Sequence, residues 1–489
     1  MVGAVARTLP EAEGAEERIA GPLQRTRRLP AVTPHLALAA LAFAAYATLE
    51  IARYLRFAQM SWDLAIFVQE VRGYAGLHAP IADIKGPGFD ILGDHFSPIV
   101  ALLAPFYRAF PTPVTLLVGQ SLLFAVSVGI VSATAARFLG RARGLALGLA
   151  YGASWGLLNA VDFDFHEICF ALPLLALVLR ALLLERWTAA ALWSLPLLLV
   201  KEDLGLTVAA VGVLIAARGR DDARARTTGA GLALVGAGAL LLTVYVLIPH
   251  FNAEGSYPYW NKLPGGGLSG TGPLTLLRHL FWPGVKLTTL AWTVGITGFL
   301  ALRSPLLLLA VPTLLWRFAS DNAMYWGRSW HYSAVLMPIV FLALVDGVLR
   351  AEGSRLPALR GYARAAVPLA AGIAAALSLT SPLHSLVDPA TYRPGAHGEA
   401  ANRAVAAVPR GVTVESDITL LSHLAARDDA YWVGGSTRTP PQYLALDLSS
   451  GWSPGPPDDL PGYARQLHPG TQWSVVFREG GLAVLKRTS

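Results

Sequence analysis

Three short stretches of this chain crowd ionisable side chains together: Trp62-Asp63-Leu64-Ala65-Ile66-Phe67-Val68-Gln69-Glu70, Asp162-Phe163-Asp164-Phe165-His166-Glu167, and Lys201-Glu202-Asp203. Asp63 and Glu70 stand at i and i+7, so a helix places both carboxylates on nearly one face, with Phe67 between them. A positioned carboxylate can take the proton from an attacking hydroxyl, and cationic side chains can hold a departing phosphate. Lys201, Arg317, Arg328 and His331 are the cations available for that task. Asp94-His95 adds an adjacent acid and imidazole able to form a polar relay or a ligand pair. The segment 162–167 keeps three readings open: a divalent-metal site, recognition of substrate hydroxyls, or ordinary loop polarity. Its spacings match no standard helical metal motif. Structural readings stand beside the others too. Asp63 can serve as a solvated or helix-capping acid, Lys201 can pair with Glu202 or Asp203 as internal glue, and the Trp316-Arg317 and Trp326 to Tyr332 clusters can form an interfacial aromatic belt.

These residues are embedded in a chain of 489 residues that is 54% hydrophobic and only 15% charged, with a mean hydropathy of +0.47. That composition belongs to a polytopic membrane protein and excludes an ordinary soluble domain. The net charge of +7 does not indicate a nucleic-acid binder, because the basic residues fall in short loops between apolar runs. Cys169 is the single cysteine, in an apolar run, so neither an intrachain disulfide nor a Cys-based zinc site can form.

A span needs about 20 apolar residues. Runs meeting or approaching that length fall near 34–52, 113–136, 144–161, 167–184, 228–249, 285–302, 304–318, 332–349 and 365–382. Arg25/Arg27/Arg28, Arg137/Arg141/Arg143, Arg186, Arg218 to Arg226, Arg303 and Arg350 to Arg364 recur at alternate ends of these runs, which marks those ends as cytoplasmic. Arg186 and Arg218 then flank 188–217 on one side, so that region is expected to be a hairpin of two short helices. Halves of about 13 residues rise only about 20 Å, leaving Lys201-Glu202-Asp203 below the outer surface in a hydrated, protein-walled cavity.

The resulting expectation is an all-α polytopic membrane protein of about eleven transmembrane helices in the cytoplasmic membrane, N-terminus inside and C-terminus outside. Residues 1–30 form a disordered cytoplasmic N-terminus, 31–382 the transmembrane domain with a large first outer loop at 53–112, and 383–489 a small α/β extracytoplasmic domain. Within the first loop, the short, Pro-broken apolar stretch Ser97 to Phe110 is expected to lie along the interface, and the Gly/Ser-rich 264–272 to form a flexible segment or lid. In the tail, Val412 to Val414, Ala430 to Val433, Tyr443 to Leu446 and Trp473 to Phe477 read as strands. Ile418 to Ala426 and Leu460 to Leu467 read as helices between them.

Trp62-Asp63-Leu64-Ala65-Ile66-Phe67, Asp94-His95-Phe96-Ser97-Pro98, Asp164-Phe165-His166-Glu167 with Ala171-Leu172-Pro173, Lys201-Glu202-Asp203-Leu204-Gly205-Leu206, and the tail segment Ser422-His423-Leu424-Ala425-Ala426-Arg427 resemble the domain-of-unknown-function 2079 family of bacterial membrane proteins. That architecture is in turn similar to the GT-C superfamily of integral-membrane glycosyltransferases. The resemblance implies a polyprenyl-phosphate sugar as donor and a cell-envelope glycan, lipid or protein as acceptor, with Asp63 matching the catalytic acid of the first outer loop. Asp63 lacks the paired acid of several superfamily members, which leaves the base to be chosen among Asp63, Glu70 and Asp94. Substrate contacts are expected from Glu70, Asp94, His95, Asp164, His166, Glu167, Lys201, Glu202, Asp203, Arg317, Arg328 and His331. The alternative is a transporter or lipid flippase with Lys201-Glu202-Asp203 as its coupling or headgroup site; it would call for paired interrupted helices in an inverted repeat. A scaffold role for the tail leaves the recessed charges unexplained.

Overall fold

The structure, a computed structural model, describes residues 33–58, 61–264, 273–436, 439–449, 451–453 and 455–489. The expected disordered segment 1–30 and nearly all of the glycine-rich stretch 264–272 lie outside the described residues. The first half of the chain forms α1 (Thr33–Leu55), α2 (Asp63–Ala75), α3 (Ala104–Ala109), α4 (Val114–Leu139), α5 (Arg141–Gly152), α6 (Trp155–Val161), α7 (Ala171–Leu183), α8 (Trp187–Ser194), α9 (Leu204–Arg218) and α10 (Ala223–Leu242).

Five helices among the described residues are long and apolar enough to cross a membrane: α1, α4, Ala223–Phe251, His331–Glu352 and Pro357–Ser378. The pair α5 and α6, bent by 47°, makes a sixth when taken as one span. The bend leaves a carbonyl of the first half without its helical partner, and the Tyr46 hydroxyl donates to Gly152 O at 2.7 Å to satisfy it. His331–Glu352 is the central helix, with 89% of its apolar window buried, whereas α1, Ala223–Phe251 and Pro357–Ser378 bury only 28% of theirs. Helices that are apolar on an outward face suit a lipid surround.

The hairpin expected at 188–217 is present as two short apolar helical segments, Trp187–Leu199 and Leu204–Arg218, that pack together around the break at Lys201-Glu202-Asp203. α9 then packs along α10 through reciprocal glycine contacts. A Cβ on Gly212 would stand 2.5 Å from Gly229 O, one on Gly229 the same distance from Gly212 O, and one on Gly236 only 2.6 Å from Gly205 O. Such backbone approach is possible only without side chains, as in other close membrane helix pairs. Beyond this seam the helix widens into a π turn at Thr243–Leu247.

Before α4, the helical stretch Pro98–Ala109 leaves Leu102 and Phe106 exposed, with Phe110 exposed just after it, as an interfacial segment should. The tail folds into a sheet of order β2-β1-β3-β5-β4, where β1 is Thr413–Ser416, β2 Asp429–Trp432, β3 Tyr443–Asp447, β4 Trp473–Glu479 and β5 Leu482–Arg487. β1 pairs in parallel with β2 and β3, and β5 runs antiparallel between β3 and β4. The edge strand β2 lies against the loop between α2 and α3 at Asp83–Lys85, which covers that edge and ties the sheet to the membrane part.

The glycine seam gives a direct test. Gly229→Val should lower stability by about 1–3 kcal/mol through overpacking, read as a drop in thermal midpoint in detergent. Gly231→Ala, where a Cβ meets nothing within 4 Å, should leave it unchanged or slightly raised. Equal midpoints for the two variants would show that the seam does not hold these helices.

Candidate functional site

A cavity of about 500 Å³ opens where the connecting loops meet the hairpin break at Lys201-Glu202-Asp203. The sequence explains why these side chains converge. α2 begins at Asp63 and directs Trp62, Asp63, Ile66 and Phe67 into it, the first loop adds Lys85, Asp94 and His95, and the break between the short helices supplies Lys201, Glu202 and Asp203. His166, Glu167, His331 and Tyr332 complete the polar end. At the other end Leu206, Leu240, Leu241, Val244 and Tyr245 form an apolar wall. Of these, Leu241 and Tyr245 are exposed.

Asp63 sits at the centre of a hydrogen-bonded chain. Its Oδ2 is 3.4 Å from His166 Nε2 and accepts from the Ser61 hydroxyl at 2.8 Å. Ser61 Oγ is also 2.9 Å from Asp164 Oδ2. One hydroxyl hydrogen serves one carboxylate at a time, and the Ser61 N–H donates to the same Asp164 oxygen at 3.2 Å. Asp164 is the more readily protonated of the two carboxyls. Burial raises the Asp164 pKa to about 6, with the neighbouring Asp63 charge adding to the rise against the opposing Ser61 bond and Arg53 charge. Burial acts on Asp63 in the same direction, but the bond and charge of His166, the Ser61 hydroxyl and Lys85 outweigh it and hold that carboxyl below its usual range. The same contact raises the His166 pKa against the effect of burial. The pair Asp63 and Asp164 is thus divided into a member facing the cavity that stays ionised and a member behind it that takes up a proton near pH 6.

Support for this chain comes from below. The side-chain amide of Gln120 accepts from His166 N at 3.0 Å, donates to Glu50 at 3.0 Å and reaches Asp164 O at 3.4 Å. Glu50 also accepts from Ser121 at 2.6 Å. Two buried polar residues on α1 and α4 thereby fix the backbone of the Asp-Phe-His-Glu segment. The His166 ring stacks on His331 at 3.6 Å between centroids, with Phe163 packed against both.

The other charges pair around the rim. Lys201 binds Glu167 at 2.8 Å, so its partner is neither adjacent acid of its own break. His95 Nδ1 is 2.8 Å from Glu202, and His95 Nε2 is 2.5 Å from the Tyr259 hydroxyl. Lys85 pairs with Asp94, and the Tyr257 hydroxyl donates to Glu202 at 3.2 Å. Lys262 differs from the other two cavity lysines. It lies 4.1 Å over the Tyr259 ring and donates to the Tyr325 hydroxyl at 3.2 Å, with no carboxylate paired to it among the described residues.

Most of the residues expected from the sequence therefore converge: Asp63, Asp94, His95, His166, Glu167, Lys201, Glu202, Asp203 and His331 line the cavity, and Asp164 joins through Ser61. Three do not. The Arg317 guanidinium is buried and spent on Tyr325 O, Gly327 O, Tyr332 O and the Ser333 hydroxyl, so it braces the 325–333 loop. Arg328 stacks on Trp292 at 3.8 Å. Glu70 is fully buried within the first loop, both oxygens without a partner, and burial raises its pKa strongly. Among the described residues, no group of three or more His, Cys, Asp or Glu side chains is arranged to hold a metal ion. Ser61, Lys85, Gln120, Tyr257, Tyr259 and Lys262 join the site without having been singled out as site residues. Only the aromatic run Tyr257-Pro258-Tyr259-Trp260, two residues before Lys262, offered a signal.

A family model for "Predicted membrane protein (DUF2079)" matches residues 53–481, and the chain belongs to that family. No match was found among curated proteins. Among solved structures, the fold is similar to the crystal structure of ArnT from Cupriavidus metallidurans bound to undecaprenyl phosphate, at 14% identity and a TM-score of 0.56, covering 93% of this chain and 97% of that one. The same protein in its apo state matches over the same shares with a TM-score of 0.49. The expected mostly helical membrane architecture with a small C-terminal sheet is met at the level of the fold.

The divided carboxylate pair predicts a pH signature. Because the Asp164 pKa is raised from 3.8 to about 6 in the folded protein, the native state holds more protons than the unfolded state between those values. Its stability should therefore fall as pH rises through that window. Asp164→Asn should flatten this part of a pH series of thermal midpoints, and an unchanged slope would show that Asp164 does not carry the proton.

Proposed function

We propose that this protein is an inverting membrane glycosyltransferase that moves a sugar from a polyprenyl-phosphate donor to an acceptor at the outer face of the cytoplasmic membrane. The observation that carries this reading is one cavity holding an ionised carboxylate hydrogen-bonded to an imidazole, an acid-free lysine, and an apolar wall of the right character for a lipid chain. The ArnT structure similar to this fold has undecaprenyl phosphate bound, which supports a donor of that class here. The topology that fits is eleven crossings, with the shorter helices completing the count, the cavity and tail outside and the N-terminus inside.

In this reading the acceptor hydroxyl attacks the anomeric carbon while Asp63 takes its proton. The bond from that carbon to the phosphate oxygen breaks, and the leaving polyprenyl phosphate carries the electron pair away. His166 keeps Asp63 ionised and oriented through their contact. Lys262 supplies the positive charge for the leaving phosphate, since Lys85 and Lys201 are already neutralised by Asp94 and Glu167. Arg317 and Arg328 take no part in holding the phosphate. Glu202, Asp203, Glu167 and His331 line the volume where the sugar and acceptor hydroxyls meet. The Leu240, Leu241, Val244 and Tyr245 wall receives the first isoprene units.

The test is label transfer by the purified full chain from a panel of polyprenyl-phosphate sugars. Asp63→Asn should reduce kcat by about 10²- to 10⁴-fold, the range for a lost general base. Lys262→Ala should raise the donor KM, together with a weaker dependence on ionic strength. Undiminished turnover by the Asn variant would remove Asp63 from the base role. Transport into vesicles without transfer from any donor would instead support a transporter.

A further inference from the structure

The sequence singles out Ser422-His423, and the cavity leaves it unused. His423 sits on the tail helix Ile418–Ala425, and its imidazole is inserted between two aromatic rings of the membrane part. Tyr54, at the end of α1, stacks on one side at 4.0 Å and 4°, and Phe57 on the other at 3.8 Å and 13°. Burial drives the His423 pKa down to about 3, so the ring is a neutral wedge. Phe57 holds this position at φ 58, a backbone conformation that a bulky residue adopts only when its surroundings enforce it.

The tail domain takes a second grip on α2. Gln69 Nε2 donates to Ala430 O at 2.8 Å while its Oε1 accepts from Ile84 N at 3.1 Å. Arg72 donates to Asp428 O at 2.8 Å, and Trp62 meets Trp432 edge-to-face at 5.2 Å. The contacts of α2 explain why this matters. It packs against the helical turns of its own loop and against the tail helix Ile418–Ala425, and it has no comparably extensive contact with a membrane-spanning helix. The helix that begins with Asp63 is therefore held from outside the bundle.

We infer that the tail domain positions Asp63, with His423 and Gln69 as its positioning residues: one grip fixes the chain before Asp63, the other fixes the helix after it, and together they keep the carboxylate against His166. Only the placement of Asp63 in catalysis rests on the function proposed above. The clamp itself is a mechanical statement about α2.

The experiment uses the full-length protein and reads hydrogen–deuterium exchange alongside transfer kinetics. In His423→Ala, exchange across 63–75 should rise by about tenfold while α4 and the β3–β5 pair stay unchanged, as expected for a local opening. In a transfer assay the same variant should lose about tenfold in kcat with donor KM within about twofold. His423→Phe, which keeps a flat ring between Tyr54 and Phe57, should restore both. Should His423→Ala fail to fold, Gln69→Leu removes the second grip and should loosen α2 in the same way. Unchanged α2 exchange in the folded variant, or loosening spread equally through the sheet and α4, would overturn the inference. The exchange arm needs no substrate. If the wild-type protein transfers no sugar, the proposed reaction fails while the clamp is still judged on exchange alone.

Discussion

The Lys201–Glu167 ion pair is the constraint around which the rest of this molecule is arranged. An unpaired charge below the membrane surface costs several kcal/mol, and removing one member of a buried pair leaves that cost on the other. Both side chains are nearly buried where the short helices break at 201–203 and the segment 162–167 meets them. Glu167 supplies the opposite charge, which draws its neighbours His166 and Asp164 to the same depth. Those two in turn need partners, found in Asp63, Ser61 and the buried amide of Gln120. The polar end of the cavity is thus a succession of compensations beginning at one recessed lysine.

That logic separates what the sequence revealed from what it did not. The hairpin was legible because its charges interrupt an apolar stretch too long for one crossing and too short for two, with arginines at both ends. The convergence of the three acidic motifs was legible because all fell on one side of a consistent charge topology. The pairing inside the site was not. Lys201 bonds across space to Glu167, though two acids follow it directly in the chain, and sequence adjacency carries no information about such a choice. Arg317 and Arg328 look like phosphate ligands by type and by side of the membrane. Their geometry turns them to carbonyls and to an indole face, a difference decided by loop conformation.

The tail domain shows the same division. The helices Ile418–Ala425 and Leu460–Leu467 and the first four strands were visible from alternation and turn residues, but the helix Gly395–Ala407 and β5 were not. Leu482-Ala483-Val484-Leu485 is buried on both faces between β3 and β4, so it lacks the period-two signal that marks a half-exposed strand. Span counting met a similar limit. Several apolar runs fold as short or broken helices whose polar ends are satisfied inside the protein, as Gly152 O is by Tyr46, so the described residues give five spans by length, or six with the bent pair, against the eleven expected from charge alternation. The role of Ser422-His423 was beyond reach because its aromatic partners lie in another part of the chain, at the end of α1.

The π turn at Thr243–Leu247 has a broader meaning for how this cavity is built. α10 must present Gly229 and Gly236 to α9 while the continuation of the same helix presents Val244 and Tyr245 to the cavity. At 3.6 residues per turn the two duties are locked to one angular phase. A wide turn breaks that lock by letting the later residues lag behind the earlier ones. Leu240 serves both seam and wall, but Val244 and Tyr245, within the wide turn, can be altered apart from the seam glycines. A fold arranged this way can change the shape of its apolar wall, and with it the ligands that fit, without reopening the helix contact that holds the wall upright.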